Sequence, residues 1–292
     1  MTVRSMHIPV LTEEVIINLL HDKDGRYLDV TSGFGGHSTA ILEQLNHGSL
    51  IATDQDPDAI KYLKNKFESE KRITIHQSRF SDLAQLLHSE NFDGILADIG
   101  VSSYQLDNPE RGFSFMKDGP LDMRMNPLLE INAEKIIETL TEKELADLIY
   151  KYGDERLSRK ISRKIKTDLK EKGKYSGTKD LAYSIAGCFP PKQRYKKIHP
   201  ATRTFQALRI AVNAEIEALE NFLEIVPNWL LPGGIISIIS FHSIEDRLVK
   251  NSFKSDERLK NLTKKPITPN EQEIINNKRS RSAKLRIAQL NY

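Results

Sequence analysis

Through its first hundred residues the chain alternates short apolar runs with amphipathic stretches, the pattern of a parallel sheet whose strands are joined by helices. Arg26 to Thr31 reads as a strand and Gly36 to Leu45 as a helix. Ser49 to Asp54 is a second strand, and Pro57 to Phe67 a helix opened by Asp56 as cap and Pro57 in its first turn. Ile73 to His76 and Phe92 to Asp98 continue as third and fourth strands, with Ser81 to Leu87 helical between them.

After Asp98 the alternation stops. Val101 to about Asp122 is rich in Gly, Ser, Asn, Asp and Pro, a loop signature. Beyond it the apolar positions take helical spacing. Leu145, Leu148, Ile149 and Tyr152 follow a capping box at Thr141 to Glu144, and Leu157, Ile161, Ile165 and Leu169 mark a second helix. Strand and helix signals return after Pro200. Thr204 to Val226 reads as one long amphipathic helix, Gly233 to Phe241 as a buried strand, and Ser243 to Phe253 as a helix capped by Ser243 with Asp246 three residues on. Lys284 to Leu290 supplies a last strand, while the polar stretch from Leu259 to Lys278 reads as a loose excursion. The pattern predicts an α/β fold: a Rossmann-like, doubly wound sheet with helices on both faces, interrupted by an all-helical insert. Residues 1–104 and 204–292 are expected to form the discontinuous sheet domain, and 105–203 the insert.

A length of 292 residues with 39% hydrophobic content supports a packed domain with a sizeable insertion. The stretch from Met1 to Pro9 lacks the charged start and apolar core of a signal peptide, and no apolar run approaches the roughly 20 residues of a membrane helix. A cytoplasmic protein with no membrane partner is the expectation. The single cysteine, Cys188, can form no internal disulfide, which suits a reducing compartment. Its neighbours Ala186, Gly187 and Phe189 make it a small thiol packed in an apolar face rather than a nucleophile.

The net charge of +3 conceals an asymmetry. Lys151 to Arg203 holds 16 Lys and Arg against 5 Asp and Glu, a local balance of +11, so the remainder sums to −8. A charge run is often only a solvated helix face. Confinement of the cations to one segment favours phosphate binding, with Arg156, Arg159, Lys160, Arg163, Lys164 and Arg203 as candidate substrate contacts.

The chemistry concentrates in Asp29-Val30-Thr31-Ser32-Gly33-Phe34-Gly35-Gly36-His37, followed nineteen residues after Gly35 by Asp54 at the end of the second strand. Glycines there let backbone approach a nucleotide cofactor. A dinucleotide fingerprint fails, because Ser38 stands where its third glycine belongs. An S-adenosylmethionine site needs a glycine turn for the methionine part, an acid after the second strand for the ribose, and flat or polar groups after the third and fourth strands for the adenine. Gly33, Gly35, Gly36, Asp54, Phe80 and Asp98 occupy those places. Each also has a plainer reading: Asp54 as a solvated strand-end acid, Phe80 as a core aromatic, His37 as a polar first-turn residue.

Longer motifs then become specific. Ser32 to Ser38, Asp98 to Asp107, Glu110-Arg111-Gly112-Phe113-Ser114-Phe115, Gly119 to Met125, His199-Pro200-Ala201-Thr202-Arg203 through Arg209, and Ser240 to Arg247 resemble the ribosomal small subunit methyltransferase H family (RsmH, or MraW). The likeness runs from His7 to the tail at Arg281 to Arg286. It implies a class I methyltransferase sheet and methylation, dependent on S-adenosylmethionine, of the exocyclic amine (N4) of a cytidine in the decoding, P-site region of small-subunit 16S ribosomal RNA. The substrate is either that RNA or the assembled small ribosomal subunit. By motif position, the family's cofactor contacts fall on Gly35, Gly36, His37, Asp54, Phe80, Asp98 and Gln105. Tyr104 stands where proline is common in the family, and the stretch after Phe253 is shorter than usual.

A cytosine amine is a feeble nucleophile, since its lone pair is delocalised into the ring, so alignment and a proton acceptor carry the reaction. Asp98 is the candidate acceptor, with Asp107, His199 or His242 as possible assistants. Their plainer readings are a turn residue, a residue before Pro200 at a helix start, and part of a strand-to-helix cap. A DNA amino methyltransferase and a non-catalytic RNA-binding assembly factor remain as alternatives; intact Gly35, Gly36, Asp54 and Asp98 weigh against the second.

Overall fold

The computed structural model describes residues 9–87, 90–194 and 198–292; His7, where the family likeness begins, and three residues of the basic segment lie outside them. The chain divides into two compact units, residues 1–100 with 216–292, and residues 101–215.

The first unit opens with α1 (Thr12–Leu19), β1 (Arg26–Asp29), α2 (Gly36–Gln44), β2 (Ser49–Asp54), α3 (Pro57–Lys66), β3 (Ile73–Gln77), α4 (Ala84–Leu87) and β4 (Phe92–Asp98). The second unit holds α5 (Ser103–Asp107), α6 (Ala133–Thr139), α7 (Glu142–Gly153), α8 (Ser158–Lys172), α9 (Thr178–Gly187), α10 (Pro191–Arg194) and α11 (Thr202–Asn213). The chain then returns through α12 (Glu215–Ile225), β5 (Leu230–Ser240), α13 (Ser243–Ser255), β6 (Leu259–Asn261), α14 (Glu271–Asn276) and β7 (Lys284–Leu290).

The seven strands form one sheet in the order β3-β2-β1-β4-β5-β7-β6. The first five run parallel, and β7 is antiparallel to both its neighbours, with Ile238 opposite Arg286 and Lys260 opposite Gln289. Alternation along the strands explains why helices cover both faces. Leu28 and Ile95 join a cluster with Phe222 of α12 and Val249 of α13, whereas their chain neighbours Tyr27 and Leu96 join one with Val15 of α1 and Ile41 of α2. The expected Rossmann-like, doubly wound sheet with helices on both faces is therefore present. Among the described residues no helix is long and apolar enough to cross a membrane.

The second unit is helical around Leu145, Ile161, Leu181, Phe205 and Leu208. The expected capping box at Thr141 is present, the Glu144 amide donating to Thr141 Oγ1 at 3.2 Å and the Thr141 amide to Glu144 Oε2 at 2.8 Å.

Five expectations are corrected. The stretch from Thr204 to Val226 is two helices, broken where Ala214 takes φ 44°. The preceding Asn213 is buried and tied sideways: its Nδ2 donates to Met123 O and its Oδ1 accepts from the Met125 amide, both at 2.7 Å. Accordingly the second boundary between units falls at Glu215/Ile216 rather than near Arg203, because α11 packs its Phe205 and Leu208 into the second unit's core. The segment from Val101 to Asp122 is not all loop, since Ser102 and Gln105 close a capping box on α5. Finally, α13 is capped by His242 with Glu245, not by Ser243 with Asp246; Asp246 instead takes Lys284 Nζ at 3.0 Å and Arg286 Nε at 2.7 Å. The stretch from Leu259 to Lys278 holds β6 and α14, and Glu273 Oε1 there accepts the Leu11 amide at 2.8 Å.

Candidate active site

The turn between β1 and α2 uses its three glycines for three different reasons. Gly33 has φ 51°, and a Cβ placed there meets nothing closer than 4.0 Å, so its lack of a side chain leaves open space. Gly35 has φ 74° and lies against α3, where an added Cβ would sit 2.8 Å from Leu63 Cδ2 and 3.0 Å from the Phe67 ring. Gly36 is packed by Pro9, 3.0 Å from its would-be Cβ. Only Gly33 thus leaves space for a ligand directly; Gly35 and Gly36 shape the turn.

Asp54, ending β2, faces that turn. Its Oδ2 accepts the Gly33 amide and its Oδ1 the Asp56 amide, both at 2.8 Å. Burial pushes its carboxyl up to about 6, against the pull of those amides. The exit of β3 is pinned alongside, the Ser78 amide donating to Asp54 O at 3.0 Å. Two residues later Phe80 is half-buried, its ring edge-on to Phe222 with centroids 5.5 Å apart. It is both a core aromatic and a partly open platform.

Across β1, Asp98 ends β4 with its amide donating to Thr31 Oγ1 at 2.6 Å. His37, buried in the first turn of α2, brings Nε2 to 3.6 Å from Asp98 Oδ2. Asp98 Oδ1 and both His37 nitrogens are buried without a hydrogen-bond partner among the described residues. Such orphans are expensive unless something else satisfies them. The strand-end edge thus carries a spare acceptor and an uncommitted imidazole beside an open glycine turn.

Comparison with known proteins gives the family of the chain. The MraW methylase family matches residues 4–291. The chain belongs to the MraW methylase family. It is 68% identical over 290 residues to the ribosomal RNA small subunit methyltransferase H of Prochlorococcus marinus subsp. pastoris, covering 97% of this chain and 96% of that one. To the protein of the same name from Prochlorococcus marinus strain MIT 9301 it is 65% identical over 291 residues, covering 98% and 96%. Among solved structures, an rRNA methylase from Streptococcus thermophilus is similar over the whole of both chains, at 10% identity and a TM-score of 0.45.

The cofactor of this MraW methylase is S-adenosylmethionine, and the residues present fit it. The open side of Gly33 leaves room where a ligand could enter, and Asp54 keeps lone pairs that ribose hydroxyls could use. Phe80 gives a flat surface, and His37 has unsatisfied ring nitrogens that a zwitterionic ligand could complete. Three supporting residues were not singled out by sequence. Asp29 is buried under α2 and accepts Ser38 Oγ at 2.6 Å, burial pushing its carboxyl up; Thr31 holds the Asp98 backbone. Lys66 Nζ donates to Gly35 O at 3.1 Å. Asp29 and Thr31 stood inside the quoted turn, but Lys66 depends on how α3 packs, which no local pattern shows.

The remaining candidates have local partners. His242 is the cap of α13, its Nδ1 accepting the Glu245 amide at 3.3 Å and its Nε2 lying 3.0 Å from Glu245 Oε1. In the second unit Gln105 is buried in the capping box of α5, with Oε1 accepting the Ser102 amide at 3.0 Å, and Asp107 ends that helix exposed. His199 is half-buried and stacks on Phe115 with centroids 4.7 Å apart. Cys188 is buried, which pushes its thiol up, as expected of a packing residue.

Of the six candidate cations, most have internal work. Lys160 Nζ donates to Cys188 O at 2.7 Å, closing the C-terminal end of α9, as Lys166 does for α6 through Ile137 O at 2.6 Å. Lys164 pairs with Asp168 at 2.7 Å, and Arg203 Nη1 donates to Asp154 O at 2.9 Å. Arg163 lies 3.3 Å from Glu142 with both side chains exposed, a weak pair. Arg156 and Arg159 are exposed with no bond to any described residue.

Proposed function

We propose that this methylase modifies small-subunit ribosomal RNA, transferring the methyl group to the exocyclic amine N4 of a cytidine in the decoding region. The observation that carries this reading is Asp98 Oδ1, a buried carboxylate oxygen without a partner among the described residues. It calls for a ligand group that brings an N–H or O–H to a buried acceptor, and a cytosine amine brings two N–H donors. The names of the relatives support ribosomal RNA of the small subunit as the substrate.

Bound S-adenosylmethionine supplies an electrophilic methyl group on a sulfonium sulfur. The chain's residues do the rest. Gly33 and Asp54 fix the ribose end by a tie of 2.8 Å, and Asp54 reads hydroxyls through its free lone pairs. Asp98 is oriented by the Thr31 bond to its backbone and by His37 beside Oδ2. Its Oδ1 accepts a hydrogen of the amine, aligning the nitrogen lone pair and taking the proton that the amine sheds. In the second unit Arg156 and Arg159 neutralise phosphates, since their guanidinium groups have no partner among the described residues. An unpaired loop suits such an enzyme, because a base leaves its stack there at least cost. A ribosomal RNA substrate supports a cytoplasmic location for the protein.

Nucleoside mass spectrometry of small-subunit RNA from cells with and without the protein tests the reading. Loss of one N4-methylated cytidine in its absence is expected. An unchanged modification profile overturns the proposal.

A further inference from the structure

Two motifs of the second unit that the cofactor does not use, Glu110 to Phe115 and His199 to Arg209, meet in a cluster of three rings. Phe205 is buried and holds Phe115 edge-on, centroids 4.8 Å apart and planes at 73°. Phe115 in turn carries His199 at 4.7 Å and 41°. Both upper rings are half-buried, and Met116 beside them is 78% exposed, an adaptable apolar flank.

The tautomer of His199 follows from its neighbours. The Ala201 amide donates to Nδ1 at 3.1 Å, so that nitrogen holds a lone pair and the hydrogen of the neutral ring sits on Nε2. Burial lowers the ring's proton affinity, which keeps it neutral near pH 7. Nε2–H has no acceptor among the described residues. A ring in this state donates a hydrogen bond and has no free lone pair with which to take a proton, so the geometry is that of a reader of acceptors and not of a general base.

We infer that Phe115 and His199 form a base-reading pair, in which an unstacked pyrimidine of the RNA lies against Phe115 and its O2 carbonyl accepts from His199 Nε2–H. The inference rests on the proposed RNA substrate and makes His199 a residue that positions RNA rather than one that takes a proton. Aromatic stacking with one edge contact is the usual means by which proteins hold single unpaired bases.

The test is steady-state methylation of small-subunit RNA by His199→Leu, His199→Gln and Phe115→Leu proteins, with cofactor affinity by calorimetry and His199 nitrogen shifts by NMR on the wild type. Loss of the donor in His199→Leu is expected to raise KM for RNA about tenfold or more, with kcat changed by less than about threefold. Cofactor affinity stays unchanged. His199→Gln, whose amide places an N–H near the lost one, recovers most of the KM; Phe115→Leu does not. The NMR shifts are expected to show hydrogen on Nε2 and none on Nδ1. A normal KM in His199→Leu, a collapse of kcat in His199→Gln, or hydrogen on Nδ1 overturns the pair while wild-type methylation leaves the cytidine reading intact. A wild-type protein that binds cofactor but transfers no methyl group to this RNA overturns both.

Discussion

The Gly33 amide donates to Asp54 Oδ2 at 2.8 Å, tying the turn after β1 to the acid that ends β2. Burial holds that carboxyl up at about 6. Ribose hydroxyls that donate to it favour its ionised form, so cofactor binding near pH 6 releases protons. Affinity is therefore full above about 6 and weakens as pH falls through that value. The ligand-free fold behaves oppositely: the native carboxyl binds its proton more tightly than the unfolded one, so stability from this group rises as pH falls from about 6 toward the usual aspartate range. Calorimetry in two buffers, with Asp54→Asn as control, measures the proton release. Equal affinity on both sides of that pH removes Asp54 from the ribose site.

Asp98→Asn keeps the shape of the site and removes the charge. With the acceptor lost, kcat is expected to fall about 100-fold or more, while cofactor affinity changes by less than about tenfold. Single-turnover methylation alongside cofactor titration separates the two. A variant that binds cofactor and reacts at the normal rate shows that Asp98 does not take the proton.

The glycines predict contrasting damage. Gly33→Ala meets open space, so it costs only the strain of φ 51°, about 1 kcal/mol, yet it intrudes on the cofactor. Gly35→Ala adds to similar strain a 2.8 Å approach to Leu63 and lowers stability by more. Thermal unfolding with cofactor titration is expected to show affinity loss dominating at Gly33 and stability loss at Gly35.

The cations in and just before α8 divide likewise. Arg156→Ala and Arg159→Ala are each expected to lower the slope of RNA affinity against salt by about one, with melting unchanged. Lys160→Ala and Lys166→Ala leave the carbonyl ends of α9 and α6 uncapped, and cost about 1 kcal/mol with little change in slope. The same slope for all four variants contradicts this division of labour.

Much of the sheet was legible because its strands are buried on both faces and read as apolar runs; Ser49–Asp54, Phe92–Asp98 and Lys284–Leu290 fall where the pattern put them. The break at Ala214 was not, since alanine is the best helix former and the chain turns there under anchors from Asn213 to Met123 and Met125, some ninety residues away. The cap of α13 was misplaced because histidine is an unusual N-cap, and Ser243 offered a commoner one. In the site, the glycine turn, Asp54 and Asp98 stood out by spacing. Which glycine leaves room for a ligand depends on Pro9, Leu63 and Phe67, and which cations are spent inside depends on the helix ends they reach; neither is a property of local sequence.

The central claim is tested most directly by incubating the purified protein with methyl-labelled S-adenosylmethionine and, separately, small-subunit RNA, assembled small subunits and duplex DNA, followed by digestion to nucleosides. Label recovered as N4-methylated cytidine from the ribosomal substrates, and none from DNA, is the predicted result. Label on DNA, on another atom, or on no nucleoside contradicts the account.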